Sequence, residues 1–366
     1  MRVHIVDPSA YTPPYDHALC AALARAGATV DLYTSRFAHG EAPATDGYAR
    51  HELFYRAARG VRDARTRRVL KLAEHVHDML AYRSRARAAD VVHFQWLAVQ
   101  QLDAHLLPRG RPLVLTAHDI LPREPHPGQL RAQRRLYERF DAIVVHSEHG
   151  RRRLEQQVGV PRERLHVIPH GALEHLRAGP VASPPWAKDA PVALFFGLLR
   201  PYKGLDVLID AWRGIEGAEL WVVGMARMDT TALHAAAPAN VRFLERFVSE
   251  AELRACFESA DVVVLPYREI DQSGVLFTAL AFAKPLVLSD AGGFPEIAAA
   301  GAALTVPAGD ARALHSALDE LLSDRARREQ MARCAGELAR SEYSWDAIAA
   351  RTLALYESLL QRESSA

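Results

Sequence analysis

The sequence has few cysteines, no long apolar run and almost no net charge. Its three cysteines, Cys20, Cys256 and Cys334, are odd in number and show no paired spacing. This pattern disfavours a disulfide framework or a zinc site and favours reduced thiols. No run of about 18 apolar residues occurs, so we expect no membrane-spanning segment. The first residues also lack the apolar core of a signal peptide. These absences predict a cytoplasmic protein without a metal site.

Two cofactor-binding motifs are also missing. A nicotinamide enzyme needs G-x-G-x-x-G after a strand, with an acidic residue about 20 positions later. The first strand-to-helix loop, DPSAYTPPYD, contains no glycine, and Gly197 and Gly204 are too far apart to form the motif. No Walker A motif occurs either. The sequence therefore disfavours a dehydrogenase or a P-loop kinase, and we expect no cofactor.

The formal net charge of +1 offers no electrostatic argument for nucleic acid as a partner. Basic residues are nevertheless concentrated between 56 and 87, among apolar residues at helical spacing. They are Arg56, Arg59, Arg62, Arg65, Arg67, Arg68, Lys71, Arg83, Arg85 and Arg87. We expect one helix to carry the cations from 56 to 71. Two interpretations stay open: a solvated surface helix, or a basic face that contacts an anionic acceptor or the anionic inner face of a membrane.

Apolar runs of strand length alternate with helical patterns along the whole chain. The first series is Val3–Val6, Thr29–Tyr33, Val91–Phe94, Pro112–Ala117, Ala142–His146 and Leu165–Ile168. The second series is Val192–Phe196, Glu219–Val223, Val241–Phe243, Val262–Leu265, Pro285–Leu288 and Ala302–Val306. This order predicts an α/β protein with two doubly wound parallel sheets. We expect an N-terminal domain over 1–178, a linker rich in Pro, Ala and Gly over 179–191, and a C-terminal domain over 192–344. A last helix over 345–366 is expected to pack back on the first domain.

The stretch FFGLLRPYKG, residues 195–204, combines the features of an anion site. A buried strand ends at Gly197, and a turn closed by Gly204 carries Arg200 and Lys203. Helical spacing resumes directly afterwards. Cations, loop N–H groups and a helix N-terminus can converge on a phosphate at such a point.

Four apolar runs of the first series end in polar clusters. The clusters are His93-Phe94-Gln95-Trp96, His118-Asp119, His146-Ser147-Glu148 and Pro169-His170-Gly171. Because ligands of open parallel sheets bind at the carboxyl ends of the strands, we expect these clusters to share one edge.

The ordered motifs of the chain resemble those of the family 4 glycosyltransferases. They are GLLRPYKG (197–204), WVVG (221–224) and DVVVLPYREIDQSGVLFTALAFAKPLVLSDAGGFPE (261–296), with TAHD, VVHSE and VIPHG in the N-terminal half. The resemblance implies the GT-B fold, in which two Rossmann-like domains face a cleft. It also implies a retaining, metal-independent hexosyltransferase that uses a UDP- or GDP-linked sugar. The acceptor would be a hydroxyl group of a glycan, a lipid-linked molecule or a small molecule.

The same resemblance assigns roles to residues. The catalytic group would be His118, Arg200, Lys203 and Asp271. The nucleotide sugar would also contact Gly197, Arg246, Glu269, Gln272, Ser273, Gly274, Val275 and Thr278. The acceptor would bind along the first loop and the segment that follows the third predicted strand, at Tyr11, Tyr15, Asp16, His17 and Trp96.

One motif departs from the family pattern, which has two glutamates eight residues apart. The second glutamate is Thr278 here, and Asp271, with Glu269 behind it, is the candidate for the first. A threonine forms a weaker contact with ribose than a carboxylate does. This departure leaves two alternatives to transfer: a nucleotide-sugar-binding protein without catalysis, or a sugar-nucleotide epimerase on the same fold.

Overall fold

The computed structural model describes residues 1–37, 42–61, 63–97, 99–120 and 128–365. The chain divides into two compact units. The first comprises Met1–His170 together with Trp345–Ala366, and the second comprises Gly171–Ser344. Residues 179–191, expected to be a linker, lie within the second unit.

Each unit is built around one sheet of parallel strands. The first sheet contains β1 (Arg2–Asp7), β2 (Thr29–Ser35), β3 (Ala49–Phe54), β4 (Val91–Phe94), β5 (Leu113–Thr116), β6 (Ala142–Val145) and β7 (Leu165–Val167). The second contains β8 (Val192–Phe196), β9 (Glu219–Val223), β10 (Val241–Leu244), β11 (Val262–Leu265), β12 (Leu286–Ser289) and β13 (Ala303–Val306). Strands β4, β5, β6, β8, β11 and β12 are buried along their whole length, as parallel strands covered by helices on both faces must be.

Helices connect the strands and cover the sheets. In the first part of the chain they are α1 (Pro13–Arg25), α2 (Ala64–Arg85), α3 (Gln100–Leu106), α4 (Gln129–Tyr137) and α5 (Glu148–Arg153). The second unit contains α6 (Leu205–Trp212), α7 (Thr231–Ala236), α8 (Glu250–Ser259), α9 (Gly274–Ala281), α10 (Phe294–Ala298), α11 (Ala311–Ser323) and α12 (Arg325–Arg340). The last helix, α13 (Trp345–Ser365), packs against α1 in the first unit.

The strand orders place a topological switch point in each sheet. The orders are β3-β2-β1-β4-β5-β6-β7 and β10-β9-β8-β11-β12-β13. The chain therefore reverses its direction of winding between β1 and β4 and again between β8 and β11. Loops at the carboxyl ends of such strands form the crevice that binds ligands in open α/β sheets. The loop that carries Arg200 and Lys203 follows β8, so the motif lies at the switch point of the second sheet.

A buried histidine fixes α13 to the first sheet. His93 on β4 places Nδ1 2.5 Å from the Tyr356 hydroxyl of α13 and Nε2 2.7 Å from Thr116 Oγ1 on β5. Burial lowers the pKa of His93 to about 3, so the ring is neutral near pH 7. His93 is thus part of the core, while the residues after β4 remain available for a site.

Three local predictions need correction. Helix α1 begins at Pro13, so Tyr15, Asp16 and His17 are helical rather than in the first loop; proline suits the first turn of a helix, where its missing N–H costs nothing. Strand β3 was not predicted because ARHELF lacks an apolar alternation and gains its order by pairing with β2. The helix expected from 56 starts only at Ala64, capped by Asp63, and Arg62 lies outside the described residues.

Candidate active site

The loop after β8 holds a buried ammonium group at the switch point of the second unit. Lys203 is 8% exposed, and its Nζ lies 5.1 Å from the centre of the Tyr267 ring. Gly197 has φ +108°, and a Cβ there would lie 2.9 Å from Lys203 Nζ. Any larger residue at 197 would therefore meet the ammonium group, so the glycine allows the backbone and the cation to approach each other. Arg200, in the same loop, is exposed.

A second arginine, which the sequence interpretation missed, holds this turn in place. Arg268 follows β11 and binds both carboxylate oxygens of Asp206, at 2.7 and 2.5 Å. It also donates from its side chain to Pro201 O (3.1 Å), and its backbone N–H donates to Tyr202 O (2.8 Å). Two hydrogen bonds to backbone carbonyls therefore join the loop after β11 to the loop after β8, and a bidentate ion pair joins it to the first turn of α6. The available signal for Arg268 was its position three residues after a predicted buried strand.

Gly204 brings the same two loops into direct contact. Its φ is +68°, and a Cβ at this position would lie 2.1 Å from the carbonyl oxygen of Pro266. No side chain can occupy that space without moving the backbone. The turn that presents Arg200 and Lys203 is thus packed against the loop that leads to Asp271.

The two carboxylate candidates in the loop from Glu269 to Gly274 differ in their exposure to solvent. Asp271 is 8% exposed, whereas Glu269 is exposed to solvent. Ser273 is buried at the N-cap of α9, which begins at Gly274, and Gln272 is half-buried beside it. Asp271 is therefore the carboxylate held within the loop, and the N–H groups at the start of α9 follow it directly.

Thr278 and Val275 have defined places on α9. The Thr278 hydroxyl donates to Gly274 O at 2.9 Å, one turn earlier in the helix, and the side chain is buried. The Val275 Cγ2 atom lies 3.3 Å from the position that a Cβ of Gly197 would occupy. Because its proton is already donated, the Thr278 hydroxyl can offer a ligand its oxygen lone pairs only.

Arg246, a predicted contact of the nucleotide sugar, forms an ion pair of its own. It donates to both carboxylate oxygens of Glu252, at 2.6 and 3.3 Å, and to Phe247 O at 3.0 Å. Glu252 also closes the capping box of α8 with Ser249. Arg246 is therefore oriented by the start of α8 rather than by the loops that hold Lys203. Phe247 beside it is 68% exposed.

In the first unit, the loop after β1 carries aromatic residues to the loop after β4. Asp7 shapes the loop by accepting hydrogen bonds from the backbone N–H groups of Ser9 (3.1 Å) and Tyr11 (2.6 Å). The Tyr11 ring lies 4.6 Å from the Trp96 ring, and Trp96 Nε1 donates to Thr12 Oγ1 at 3.1 Å. Two of the predicted acceptor residues, Tyr11 and Trp96, therefore meet at the switch point of this sheet.

His118 lies at the centre of the polar clusters that were predicted to share one edge. Its ring stacks on Trp96 with centroids 4.9 Å apart and an interplanar angle of 12°. Tyr15 packs edge-on against His118 and His170, at 4.8 Å from each. His146 lies 5.0 Å from His118, centre to centre. The residues after β4, β5, β6 and β7 thus form one group, which α1 covers through Tyr15.

A hydrogen-bonded chain runs from the backbone of Ile168 through two histidines to Gln95. His146 Nδ1 donates to Ile168 O at 3.0 Å, and His146 Nε2 lies 3.2 Å from His118 Nδ1. His118 Nε2 lies 3.2 Å from Gln95 Oε1. Burial lowers the pKa of both rings, to about 4 for His146 and well below the usual value for His118, where His146 and His170 add to the effect. Both rings are therefore neutral near pH 7.

This chain assigns a tautomer to His118. Because neutral His146 donates from Nδ1, its Nε2 must accept, so His118 Nδ1 carries the proton and His118 Nε2 carries a lone pair. The lone pair needs a donor, and the Gln95 amide provides one when its NH₂ group faces the ring. That orientation also gives a partner to Gln95 Nε2, which otherwise has none in the described part of the chain. A ligand that binds His118 at Nε2 must displace this amide and donate a hydrogen bond.

Nitrogen NMR on histidine-labelled protein tests the tautomer. We expect the His118 resonances of a ring protonated at Nδ1 near pH 7. His146→Phe removes the acceptor, so His118 should change to the tautomer protonated at Nε2, which then donates to Gln95 Oε1. His51→Gln, a histidine of the same unit that contacts Asp31 instead, is the control and should leave the His118 signals unchanged. A wild-type His118 protonated at Nε2 would contradict the assignment.

The other predicted acceptor residues are divided between different contacts. Asp16 is 1% exposed, and burial together with the adjacent charge of Asp7 raises its pKa well above the usual range, so its carboxyl keeps a proton and donates it to Asp7. His17 Nδ1 lies 3.1 Å from the hydroxyl of Tyr48, and burial lowers its pKa. Asp16 therefore stabilises the first loop through Asp7, and His17 is turned towards Tyr48.

A cavity of about 230 Å³ lies beside His118 in the first unit. Trp96, Gln133 and Tyr137 contribute to its lining. Gln133 is buried and donates to Ile120 O at 2.9 Å. Aromatic surfaces next to amide and hydroxyl groups suit a polyhydroxyl ligand. Gln133 was not among the predicted site residues, because only the packing of α4 brings it to this cavity.

Two family descriptions match the chain. "Glycosyltransferase Family 4" covers residues 15–172, and "Glycosyl transferases group 1" covers residues 190–324. The chain belongs to the glycosyltransferases. The matched ranges contain Tyr15 and His118 in one case, and Arg200, Lys203 and Asp271 in the other.

Curated relatives agree with this membership. A GDP-mannose:glycolipid 4-beta-D-mannosyltransferase from Xanthomonas campestris pv. campestris is 29% identical over 221 residues, which cover 54% of this chain and 60% of that protein. A D-inositol 3-phosphate glycosyltransferase from Xylanimonas cellulosilytica is 27% identical over 309 residues, which cover 75% of this chain and 73% of that protein. The match to the Xanthomonas protein thus spans less than two thirds of its length.

Solved structures establish the fold, which is GT-B. A sucrose-phosphate synthase from Thermosynechococcus elongatus superposes with a TM-score of 0.78 at 20% identity, over 99% of this chain and 100% of that one. The Anabaena Alr3699/HepE protein in complex with UDP-glucose superposes with a TM-score of 0.70 at 20% identity, over 97% of this chain and 99% of that one. The prediction of two Rossmann-like parallel-sheet domains is confirmed.

Proposed function

We propose that this chain transfers a sugar from a nucleoside-diphosphate sugar to a hydroxyl acceptor. One observation carries the proposal: the Lys203 ammonium is buried beneath the Gly197 backbone at the switch point of the second sheet, next to the loop that starts α9. A buried cation at such a point is suited to a multiply charged anion. The diphosphate of a nucleotide sugar supplies that charge, and its sugar supplies the transferable group.

The chemistry follows from charge. Cleavage of the bond between the sugar and the diphosphate leaves negative charge on the departing phosphate. Arg200 and Lys203 stabilise that charge more than the charge of the intact donor, and this difference lowers the barrier. Two cations and the N–H groups at the start of α9 take the place of a divalent metal in this proposal. Chelation with EDTA should then leave the rate unchanged.

We propose that the reaction retains the configuration of the sugar. The acceptor hydroxyl would attack on the face from which the diphosphate leaves, and the departing phosphate would take its proton. Asp271, the buried carboxylate of the loop, would hold the sugar hydroxyls, and Thr278 would accept at most one weak hydrogen bond from ribose. The relative from Xanthomonas is described as a 4-beta-D-mannosyltransferase. The anomeric configuration of the product that this chain forms must therefore be determined by experiment.

Names of related proteins narrow the candidate substrates. One relative uses GDP-mannose with a glycolipid, another is named for D-inositol 3-phosphate, and one structural neighbour binds UDP-glucose. We propose a UDP- or GDP-linked hexose as donor. For the acceptor we propose a glycan, a lipid-linked molecule or a cyclitol, bound in the first unit near Trp96 and His118.

Thermal-shift measurements with UDP, GDP and ADP provide the first test. A ligand that binds only the folded state stabilises it by about 2.7 kcal/mol at 100 times its Kd. We expect one nucleotide to raise the unfolding temperature of the wild type. The nucleoside-diphosphate sugar that contains this nucleotide should then release nucleoside diphosphate in the presence of an acceptor from one of the three classes above.

The outcomes separate the alternatives. Transfer to an acceptor supports the proposal, and NMR of the product gives its anomeric configuration. Nucleotide binding without release of diphosphate would identify a binding protein instead. Conversion of the donor sugar without any acceptor would identify an epimerase. Neither binding nor turnover with any donor would contradict the proposal.

A further inference from the structure

Helix α2 is the part of the basic stretch that the proposed function leaves unexplained. Its later turns are anchored: His75 Nε2 lies 2.6 Å from Asp103, Asp78 accepts from Tyr55 N at 2.8 Å, and Tyr82 is fully buried. From Arg65 to Ala73, by contrast, every residue except half-buried Leu70 is exposed. The first turns of α2 are therefore largely exposed to solvent, although Lys71 places its Nζ 4.7 Å from the centre of the Tyr55 ring.

An apolar stripe runs along the exposed side of this helix. Val69, Leu72 and Leu80 are 71%, 47% and 48% exposed, and half-buried Val76 lies between them. Their spacing of three or four residues puts all four on one face of a helix. At about 100° per residue, this face lies roughly a third of a turn from the anchored one. The stripe is thus a surface feature and not part of the core that holds α2.

An arginine lies at each end of the stripe, and the two carboxylates of the helix lie on the opposite side. Arg65 lies four residues before Val69 and Arg83 lies three residues after Leu80, so a cation stands at each end of the same face. The helix has six cations and two carboxylates. Both carboxylates are held by backbone N–H groups: Glu74 by Ala57 and Ala58 at 2.6 and 2.8 Å, and Asp78 by Tyr55.

We infer that this face of α2 docks on an anionic lipid bilayer. An apolar stripe bordered by arginines lies in the interface plane, with its side chains among the acyl chains and its cations at the headgroups. Cations near an anionic membrane surface add electrostatic attraction to this apolar contact. A nucleic acid would use the cations and leave the stripe in water. No described helix has the length and apolar composition to cross a bilayer, so the contact is peripheral.

Vesicle sedimentation of the full-length chain tests the inference without reference to catalysis. The two vesicle types are phosphatidylcholine alone and an equimolar mixture of phosphatidylcholine and phosphatidylglycerol. We expect at least about tenfold tighter binding to the anionic vesicles. The double variant Val69→Gln, Leu72→Gln should lose about tenfold or more of that binding, because the two side chains no longer enter the bilayer. Glutamine keeps the helix propensity of this segment.

The matched control changes the same residue types elsewhere. Leu130 and Val181 are 47% and 53% exposed, and the double variant Leu130→Gln, Val181→Gln should bind vesicles as the wild type does. Equal loss in both double variants, or no preference for anionic vesicles, would overturn the inference. The inference would also be overturned if the chain bound heparin as tightly as it binds the anionic vesicles and the α2 variant bound heparin with the same affinity as the wild type. That result would identify a purely electrostatic surface.

Discussion

Replacing Arg200 or Lys203 should reduce turnover by about 100- to 1000-fold while leaving the second unit folded. Removal of one preorganised group that stabilises developing negative charge costs a factor of this size in kcat. The two residues have different surroundings, since Arg200 is exposed and Lys203 is 8% exposed. Their variants should therefore differ in nucleotide affinity as well as in rate.

The substitutions are chosen to separate chemistry from packing. Arg200→Ala removes an exposed side chain and should leave the unfolding temperature unchanged. Lys203→Met keeps most of the buried volume and removes the charge, so it should weaken diphosphate binding together with kcat. Turnover is measured by release of nucleoside diphosphate, and binding by thermal shift.

Arg213 supplies the control. It lies just after α6 and pairs with Asp210 at the surface, where both side chains are about 60% exposed. Arg213→Ala removes the same charge as Arg200→Ala and should change neither kcat nor nucleotide binding, because exposed pairs contribute little. An Arg200→Ala enzyme with the wild-type rate would contradict its role at the leaving group.

Acid should unfold the first unit before the second. Six described histidines of the first unit have a lowered pKa; these are His4, His17, His93, His118, His146 and His166. Burial is the first cause in each case. A histidine with a depressed pKa in the folded state favours folding above its unfolded pKa of about 6.5, and this contribution is lost as the pH falls towards the folded value.

The size of the effect follows from two fully buried rings. The pKa of His93 is lowered to about 3 and that of His146 to about 4. At pH 5 the unfolded chain binds a proton at each ring and the folded chain does not, which costs about 2 kcal/mol per histidine relative to pH 8. About 4 kcal/mol is a large part of the 5–15 kcal/mol that stabilises a typical domain.

Hydrogen exchange at pH 8 and pH 5, corrected for the intrinsic exchange rate, measures this loss by region. We expect peptides from β4 to β6 to lose protection, while peptides from β8 to β12 provide the internal control. His93→Gln removes one titrating ring. It should reduce the loss of unfolding free energy between pH 8 and pH 5 by the contribution of one histidine, whatever its effect on stability at pH 8. An equal loss of protection in both units would contradict this account.

Most of the fold could be read from the sequence because parallel strands are buried on both faces. Such strands are continuous apolar runs between turn residues, and twelve of the thirteen strands in the described ranges were recognised in this way. Strand β3 was missed because its order comes from pairing with β2, which no local pattern records. The start of α1 was missed because two prolines were interpreted as loop residues, although proline is favoured in a first helical turn.

The candidate site was predicted in part. Motif order identified the β8 loop, and strand ends identified the histidines after β5, β6 and β7. Sequence could not reveal that Arg268, in the loop after β11, binds Asp206 of α6, since their separation of 62 residues carries no periodic signal. Nor could it show that Asp16 is a buried, protonated partner of Asp7, because burial and not residue type sets its pKa.

The sequence by itself determined the architecture of each unit, the family, and the turn that carries Arg200 and Lys203, since all three depend on residues that are close in the chain. Only the tertiary structure decided which side chains meet. It buried Lys203 beside the Tyr267 ring, linked His118 through His146 to Ile168, and left the Val69 face of α2 exposed. Each of these depends on contacts between segments distant in sequence, and such contacts set burial, hydrogen bonding and pKa.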